Sequence, residues 1–255
     1  MAPTIVLPKE FDITKVSFSD VKVLDNGGKI VYVSYNNAPL VVQTPPMTAP
    51  FGMSVWDNDG KASAKYSLDL SFKAMDASPK LQKFYDMLER MDKRLVDDGY
   101  ANQSTWFKGK KYGSREIVEA LFTPMIKYAK DRDTGERTDK YPPTFKVGVP
   151  FRDGAFTCDI FNDKRQPMDL STIETKGANV TAIIQCTGMW FAGGKFGASW
   201  RLVQAKISPN TMSFTGFAFR GDDGNDGNDG DMDIVDCAET DRADKSSSDS
   251  EEVDE

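Results

Sequence analysis

The sequence predicts a mainly β protein: a small antiparallel barrel or sandwich with one helical insertion, followed by a disordered acidic tail. Three patterns carry this prediction. Short apolar segments alternate with period two between turns rich in glycine, asparagine and proline; the period becomes helical between about residues 78 and 130; and aliphatic and aromatic residues become rare from Gly221 onward. With 39% hydrophobic residues in a chain of 255, enough apolar side chains are present to form a core.

The first strands are indicated by alternating apolar residues. In the segment KVSFSDVKVL at 15–24 the alternation shifts by one residue, which predicts a strand with a bulge. The hairpin turn signal NGG follows at 26–28. The strands predicted before the insertion are Lys15–Leu24, Ile30–Tyr35, Leu40–Thr44, Phe51–Trp56 and Tyr66–Phe72, and in the last of these Tyr66, Leu68, Leu70 and Phe72 share one face.

The helical insertion is predicted to begin at Ser78-Pro79, with Ser78 as the N-cap and Pro79 in the first turn, and to end at Gly99. The residues at helical spacing, and therefore predicted to be buried, are Leu81, Phe84, Tyr85, Leu88, Met91 and Leu95. A second helix is predicted from Ser114, with a buried side made of Ile117, Val118, Leu121 and Phe122. Pro124 is expected to kink or restart it.

Strands resume after Pro142-Pro143. The predicted segments are Phe145–Phe151, Ala155–Phe161, Val180–Ala192, Phe196–Ile207 and a short closing piece, Phe214–Phe219. We therefore expect one globular domain at 1–220, interrupted by the insertion at about 78–130, and a separate tail at 221–255.

Net charge divides the chain at the same boundary. The formal net charge is −7, but residues 221–255 contain 15 acidic and two basic residues, whereas the preceding part contains 30 basic and 24 acidic residues. The tail therefore carries −13 and the body +6. Such a tail buries too little apolar surface to offset its chain entropy, so we expect disorder. It is either a solubility tail or an interaction tail that competes, at high effective concentration, with an anionic ligand of the body.

Several functional classes are disfavoured. The absence of histidine excludes Ser/His and Cys/His catalytic pairs and histidine-containing zinc sites. Cys158, Cys186 and Cys237 form no Cys-x-x-Cys motif, and three cysteines are typical of a reducing compartment. Phosphate-loop and Gly-x-Ser-x-Gly motifs are absent, so we expect no enzyme, cofactor or metal. No apolar run reaches the roughly 18 residues of a membrane helix, and no signal peptide is recognisable.

Aromatic and basic residues are interleaved in MWFAGGKFGASWR at 189–201, around a hairpin turn predicted at Gly193-Gly194. The candidate binding residues are Trp190, Phe191, Lys195, Phe196, Trp200 and Arg201. Rings that stack on bases and cations that contact phosphates are the elements of single-stranded nucleic-acid binding. A core position is the alternative for each ring, but neighbouring strand residues point to opposite faces, which argues against a core role for all four.

Two further segments have similar character, and a third is interpreted as structural. Trp106, Phe107, Lys108, Lys110, Lys111 and Tyr112 predict a basic, aromatic binding loop, unless the rings only anchor the loop. In FKVGVPFR at 145–152, Lys146 and Arg152 either line a groove or are solvated strand residues. Trp56, Lys61 and Lys65 surround the turn DNDGK, where acidic residues favour a plain hairpin.

The chain resembles a family of single-stranded DNA-binding proteins of the large nucleocytoplasmic DNA viruses, including those of algae, which is related to the phage-type single-stranded DNA-binding protein. The resemblance spans roughly Val16 to Ile207 and is carried by FGMSVWD at 51–57, YSLDLSF at 66–72, AIIQCTGMWFAGGKFGASWRLVQAKI at 182–207, and the acidic C-terminus. It implies an OB fold with a helical elaboration, a basic and aromatic groove, and a tail that competes with DNA or contacts replication proteins. The matching positions are those of the 189–201 hairpin.

The tail departs from phage-type tails, which finish with an aromatic tip, because this chain ends in EEVDE. An internal acidic and apolar patch at 231–236 is the alternative docking segment. The residues predicted to bind a partner are Asp231, Ile234, Val235, Asp236, Glu251, Glu252, Asp254 and Glu255.

Taken together, the residues and the resemblance predict a viral single-stranded DNA-binding protein that acts in replication, recombination or repair inside the host cell, in the nucleus or a cytoplasmic factory. The sequence allows a homo-oligomer, and RNA is the alternative nucleic-acid ligand. The alternative is a virion structural or scaffold protein, which would not need the paired basic and aromatic segments at 106–112 and 189–201.

Overall fold

A computed structural model of the chain describes residues 4–25, 27–56, 64–107 and 109–209. The predicted closing strand at Phe214–Phe219 and the acidic tail lie outside these residues.

The strands are β1 (Ile5–Val6), β2 (Val16–Val23), β3 (Lys29–Tyr35), β4 (Ala38–Pro39), β5 (Val41–Gln43), β6 (Met47–Thr48), β7 (Met53–Trp56), β8 (Lys65–Ser71), β9 (Phe122–Thr123), β10 (Ile126–Lys127), β11 (Ala129–Lys130), β12 (Arg137–Thr138), β13 (Thr144–Val149), β14 (Phe151–Arg152), β15 (Ala155–Phe156), β16 (Asp159–Phe161), β17 (Asn179–Ala192) and β18 (Lys195–Ser208). The α-helices are α1 (Pro79–Ala101), α2 (Gln103–Trp106) and α3 (Arg115–Leu121), and 3-10 turns occur at Pro8–Glu10, Ile13–Lys15, Met75–Ala77 and Leu170–Thr172.

Strand pairing forms a closed ring. β6 pairs with β8, β8 with β13, β13 with β18, β18 with β17, and β17 with β6. The β13–β18 pairing is parallel and the other four are antiparallel. Because such a ring encloses a core between its strands, the structure is a small barrel. The predicted mainly β fold with a helical insertion is confirmed.

Alternation along the ring strands fills the barrel. On β8, Leu68 and Leu70 are buried, and on the neighbouring β13 Phe145 and Val147 pair directly with them. The intervening residues of both strands therefore point to the opposite, more exposed face. The predicted apolar face of the β8 segment is confirmed, except that Tyr66 is only half-buried.

The longest strands, β17 and β18, form one hairpin whose tip extends beyond the ring. Ala192 pairs with Lys195, and the two turn residues Gly193 and Gly194 have φ values of 58° and 78°. Both φ values lie in the left-handed region that glycine adopts at no steric cost, so the predicted two-residue turn is confirmed. Near the tip, β17 also pairs with β3. β3 in turn pairs with β2, and the predicted bulge in β2 is found between Phe18 and Val21.

Helix α1 begins as predicted, because the Ser78 hydroxyl accepts a hydrogen bond from the Leu81 backbone N–H. The predicted stop at Gly99 is wrong, since the helix continues to Ala101. A Cβ on Gly99 would lie 3.1 Å from the Phe196 ring, so this glycine serves close packing of α1 on β18 rather than termination. The predicted buried side is otherwise correct, although Tyr85 is half-buried and its hydroxyl bonds to that of Tyr128.

Helix α3 begins after Ser114 as predicted but ends at Leu121, before Pro124. Val118 and Phe122 are buried as predicted and Leu121 is half-buried, whereas Ile117 is exposed, contrary to the prediction. The short helix presents only a narrow face to the core, and Ile117 lies off that face. None of the helices in the described ranges is both long and apolar enough to cross a bilayer.

Candidate nucleic-acid interface

An open groove lies on the exposed face of β8 and β13, with a volume of about 400 Å³. Three lysines, Lys65, Lys127 and Lys146, and three tryptophans line it: Trp56, Trp190 and the almost fully buried Trp200. These residues come from β7, β8, β10, β13 and β17, so the barrel assembles the groove from segments that are distant in sequence.

Trp56 and Lys65 form a cross-strand pair at one end of the groove. They are direct partners in the β7–β8 ladder, and the Lys65 ammonium lies 5.4 Å from the centroid of the indole ring. Opposed residues of an antiparallel pair point to the same side of the sheet, which holds the cation over the ring. Trp56 is 54% exposed and therefore offers a large aromatic surface to a ligand.

Lys146 and Lys127 supply positive charge along the floor. Lys146 Nζ lies 3.5 Å from a carboxylate oxygen of Asp69, its direct partner on β8. Lys127 reaches the groove because β10 pairs with β13. Burial lowers the pKa of Lys127, the nearby charge of Lys146 lowers it further, and Asp69 opposes this change. The partly desolvated ammonium of Lys127 thus lies close to that of Lys146, a situation that a bound anion relieves.

Trp190 occupies the other end of the groove and is half-buried. Its direct partner on β18 is Gly197, where an added Cβ would lie 3.0 Å from Cζ2 of the indole ring and 3.0 Å from the carbonyl oxygen of Thr123. The missing side chain lets the ring lie across the neighbouring strand. Gly197 therefore fixes the orientation in which Trp190 faces the groove.

Burial corrects the interpretation of two hairpin aromatics as stacking residues. Phe196 is fully buried, and Trp200 is 4% exposed. The indole N–H of Trp200 donates to the sulfur of Met125 at 2.9 Å, and its ring packs against Phe145. A ring enclosed by the core has no free face for a base. Trp200 therefore borders the groove as a packed core residue, and Phe196 packs against Phe107 and Phe122.

The two predicted aromatic segments do come together, but as a packed cluster. Phe107 packs against Phe191 and Phe196, with ring centroids 5.6 and 5.1 Å away, and against Tyr112 at 5.4 Å. Trp106 is 5% exposed and packs against Phe191 at 6.0 Å. The prediction of a ligand-binding role for Trp106 is therefore corrected to an anchoring role, and Phe107, Phe191 and Tyr112 join the same cluster.

The remaining predicted cations are exposed but dispersed. Lys195 lies at the hairpin turn, Lys110 and Lys111 lie in the loop beside Tyr112, and Arg152 lies on β14. Arg201 lies beside the groove residue Gly148 in the β13–β18 pairing, and its guanidinium donates to Gln185 at 2.7 and 3.1 Å. Lys108, and the tail residues predicted to bind a partner, lie outside the described residues.

Sequence reasoning missed three groove residues. Trp56 and Lys65 were assigned to a plain hairpin, although their positions on the two sides of one turn indicate cross-strand partners. Lys127 carries no local signal, because it reaches the groove only through pairing of β10 with β13.

Residues 71–217 match a family described as "Family of unknown function (DUF5871)". The chain belongs to this family. It is also similar to an uncharacterized protein, L291, of Acanthamoeba polyphaga mimivirus, with 26% identity over 173 residues, or 66% of this chain. The chain spans only about a quarter of that relative's length, since the match covers 26% of it.

Two solved structures are similar to the described fold at low identity. One is gp2.5, a single-stranded DNA-binding protein encoded by bacteriophage T7, with a TM-score of 0.41 and 12% identity over 74% of this chain and 98% of that one. The other is the single-stranded DNA-binding protein of bacteriophage Enc34 in complex with single-stranded DNA, with a TM-score of 0.35 and 13% identity over 78% of this chain and 98% of that one.

Proposed function

We propose that this protein binds single-stranded DNA in the groove on β8 and β13. The observation that carries the proposal is the placement of the exposed Trp56 and the half-buried Trp190 on the outermost strands of a lysine-lined groove. Indole rings stack on unpaired bases irrespective of sequence, and ammonium groups contact the phosphates between them. A duplex covers the faces of its bases, so the same groove disfavours double-stranded DNA.

The position of the groove in the barrel supports the proposal. In chain order the ring strands are β6, β8, β13, β17 and β18, so β8 and β13 are the second and third. In OB folds, this face binds oligonucleotides together with the loops between the first and second and between the fourth and fifth strands. Trp56 precedes β8 in the first of these connections, and Trp190 lies close to the second. We accordingly assign the barrel to the OB-fold class, as the binding domain at 1–220.

The acidic tail completes the proposed mechanism. A body of +6 attached to a segment of −13 favours contact between the tail and the lysines of the groove. DNA then displaces the tail, and the released residues at 231–236 and 251–255 become available to replication proteins. We place this activity at the site of viral DNA replication in the host cell.

Intrinsic fluorescence tests the central proposal. The chain has four tryptophans, of which Trp106 and Trp200 are buried, whereas Trp56 is exposed and Trp190 half-buried in the groove. Titration with oligo-dT should quench the emission of the groove pair. Trp56→Ala and Trp190→Ala should each lower affinity by about 1–3 kcal/mol, the cost of one lost stacking contact.

Tyr141→Ala is the matched control. Tyr141 is 60% exposed and pairs with Lys140, whose ammonium lies 5.6 Å from its ring centroid, so it reproduces the Trp56–Lys65 arrangement away from the groove. This variant should bind like the wild type. Absence of oligo-dT binding by the wild type, or equal affinities for all three variants and the wild type, would refute the proposed function.

A further inference from the structure

The β2–β3 hairpin extends the groove face beyond Trp190. Trp190 pairs directly with Ile30 on β3, and Ile30 pairs directly with Lys22 on β2. Residues directly opposed in antiparallel strands point to the same side of the sheet. Trp190, Ile30 and Lys22 therefore lie side by side on one face across three strands.

The space around Gly188 gives a second indication of the same arrangement. A Cβ on Gly188 would lie 3.1 Å from Cγ1 of Ile30. Gly188 and Trp190 are two residues apart on β17 and thus face the same way. The Ile30 side chain consequently covers the strand on the side to which Trp190 belongs.

Tyr32 continues this face, two residues beyond Ile30 on β3. Its ring is 40% exposed, and the Lys22 ammonium lies 5.2 Å from the ring centroid. This arrangement matches the Lys65–Trp56 pair at the far end of the groove, where the distance is 5.4 Å. The bulge in β2 lies opposite, and its Ser19 hydroxyl accepts a hydrogen bond from the Tyr32 backbone N–H at 3.0 Å. Bulges re-aim side chains beside binding sites, and this one fixes the backbone of Tyr32.

We propose that the β2–β3 hairpin is a second binding platform for the DNA strand, on which Tyr32 stacks a base and Lys22 contacts a phosphate. The inference rests on the proposed function and lengthens its binding path. Diagonal neighbours on adjacent strands are about 7–8 Å apart, so Tyr32 lies roughly two stacked nucleotides from Trp190. A strand leaving the groove at Trp190 thus reaches Tyr32 without a change of sheet face.

The hairpin also exposes apolar residues, so a protein partner is the alternative ligand of this surface. Val23 is 68% exposed, but it pairs with Lys29, and Lys29 pairs with Phe191. Val23 therefore lies on the face opposite to Trp190 and Tyr32. The Tyr32 face combines a ring with a cation and is continuous with the groove, which favours nucleic acid there.

Oligonucleotide length separates this platform from the main groove. Affinities should be measured for oligo-dT of about six and about twenty nucleotides, since single OB folds hold about 4–16 nucleotides and only the longer oligonucleotide exceeds that range. Tyr32→Ala should weaken binding of the long oligonucleotide roughly 5- to 140-fold, the equivalent of one stacked base. It should leave the short one, which the main groove holds, nearly unchanged. Tyr32→Phe should retain wild-type affinity, because the ring remains.

Lys22→Gln adds a second readout. Loss of one phosphate contact should reduce the slope of log affinity against log salt by about 0.7 for the long oligonucleotide only. If Tyr32→Ala binds both lengths like the wild type, or weakens both equally, the second platform is refuted. Failure of the proposed function gives a different result. In that case the wild type binds neither oligonucleotide, and Trp190→Ala has no effect.

Discussion

Asp92 on α1 is a half-buried carboxyl group whose ionisation should set part of the pH dependence of stability. Burial raises its pKa to about 7, the backbone N–H of Met125 opposes this change, and the charge of Glu89 reinforces it. The Met125 N–H donates to both carboxylate oxygens, at 3.1 and 3.4 Å. Asp92 therefore anchors the segment that forms a wall of the groove and receives the Trp200 hydrogen bond.

The size of the effect follows from the difference between the folded and unfolded pKa values. The folded value is about 7 and the ordinary value 3.8, and each unit corresponds to about 1.36 kcal/mol, giving roughly 4 kcal/mol. Between these two values the folded protein holds a proton that the unfolded chain releases. The contribution of Asp92 is therefore fully present below about pH 4 and is lost as pH rises to 7.

Asp92→Asn keeps an oxygen acceptor for Met125 and cannot ionise. The variant should match the wild type near pH 4 and become more stable by up to about 4 kcal/mol near pH 8. Urea unfolding at a series of pH values measures the difference between the two proteins. Asp92 lines a second cavity, separate from the groove. The other charged residues of this cavity are the same in both proteins, namely Glu89, Lys93, Arg115, Glu119 and Arg137.

Asp86→Asn is the control, because Asp86 lies on the same helix and bonds to Gln82 outside that cavity. Its pH profile should parallel that of the wild type. A difference between Asp92→Asn and the wild type that stays constant from pH 4 to 8, or a variant that is less stable at pH 8, would refute the reasoning.

Two further predictions concern the core and the tail. Because Trp200 is buried, Trp200→Ala should lower the free energy of unfolding by about 3–5 kcal/mol. The loss of oligo-dT affinity per folded molecule should be smaller. Denaturant unfolding measures the first quantity, and titration of the folded fraction measures the second. Removal of residues 221–255 should raise oligo-dT affinity while hardly changing Tm, with the largest gain at low salt because the Debye length is about 10 Å at 0.1 M. The salt slope of the truncated protein should steepen towards about −0.7 per phosphate contact. Equal affinities and slopes for truncated and full-length protein would rule out competition by the tail.

Local sequence signals predicted the elements that depend on neighbouring residues. Ser78-Pro79 identifies the start of α1 because a cap and an N-terminal proline act within one turn. Gly193-Gly194 identifies the long hairpin for a similar reason, and the phase shift in 15–24 identifies the bulge of β2. Each of these features is decided by a few consecutive side chains.

Features that depend on long-range packing were not predictable in the same way. Phe196 and Trp190 have similar aromatic character in sequence, yet one is fully buried and the other lines the groove. The difference arises because α1 crosses the hairpin at Gly99 and covers the face of Phe196. Periodicity shows that the two faces differ but not which of them the insertion covers.

The helical insertion and the groove use opposite faces of the same hairpin. Phe191 and Phe196 are direct partners whose rings stack at 5.9 Å, and Phe107 from the insertion packs against both. On the other face, Trp190 lies across Gly197. Near the tip, β17 pairs with β3, and β18 pairs with β9, whose Phe122 is the partner of Phe196. Packing of the insertion on one face therefore rigidifies the strand that presents Trp190 on the other, and a ring held in its binding orientation loses less entropy when a base stacks on it.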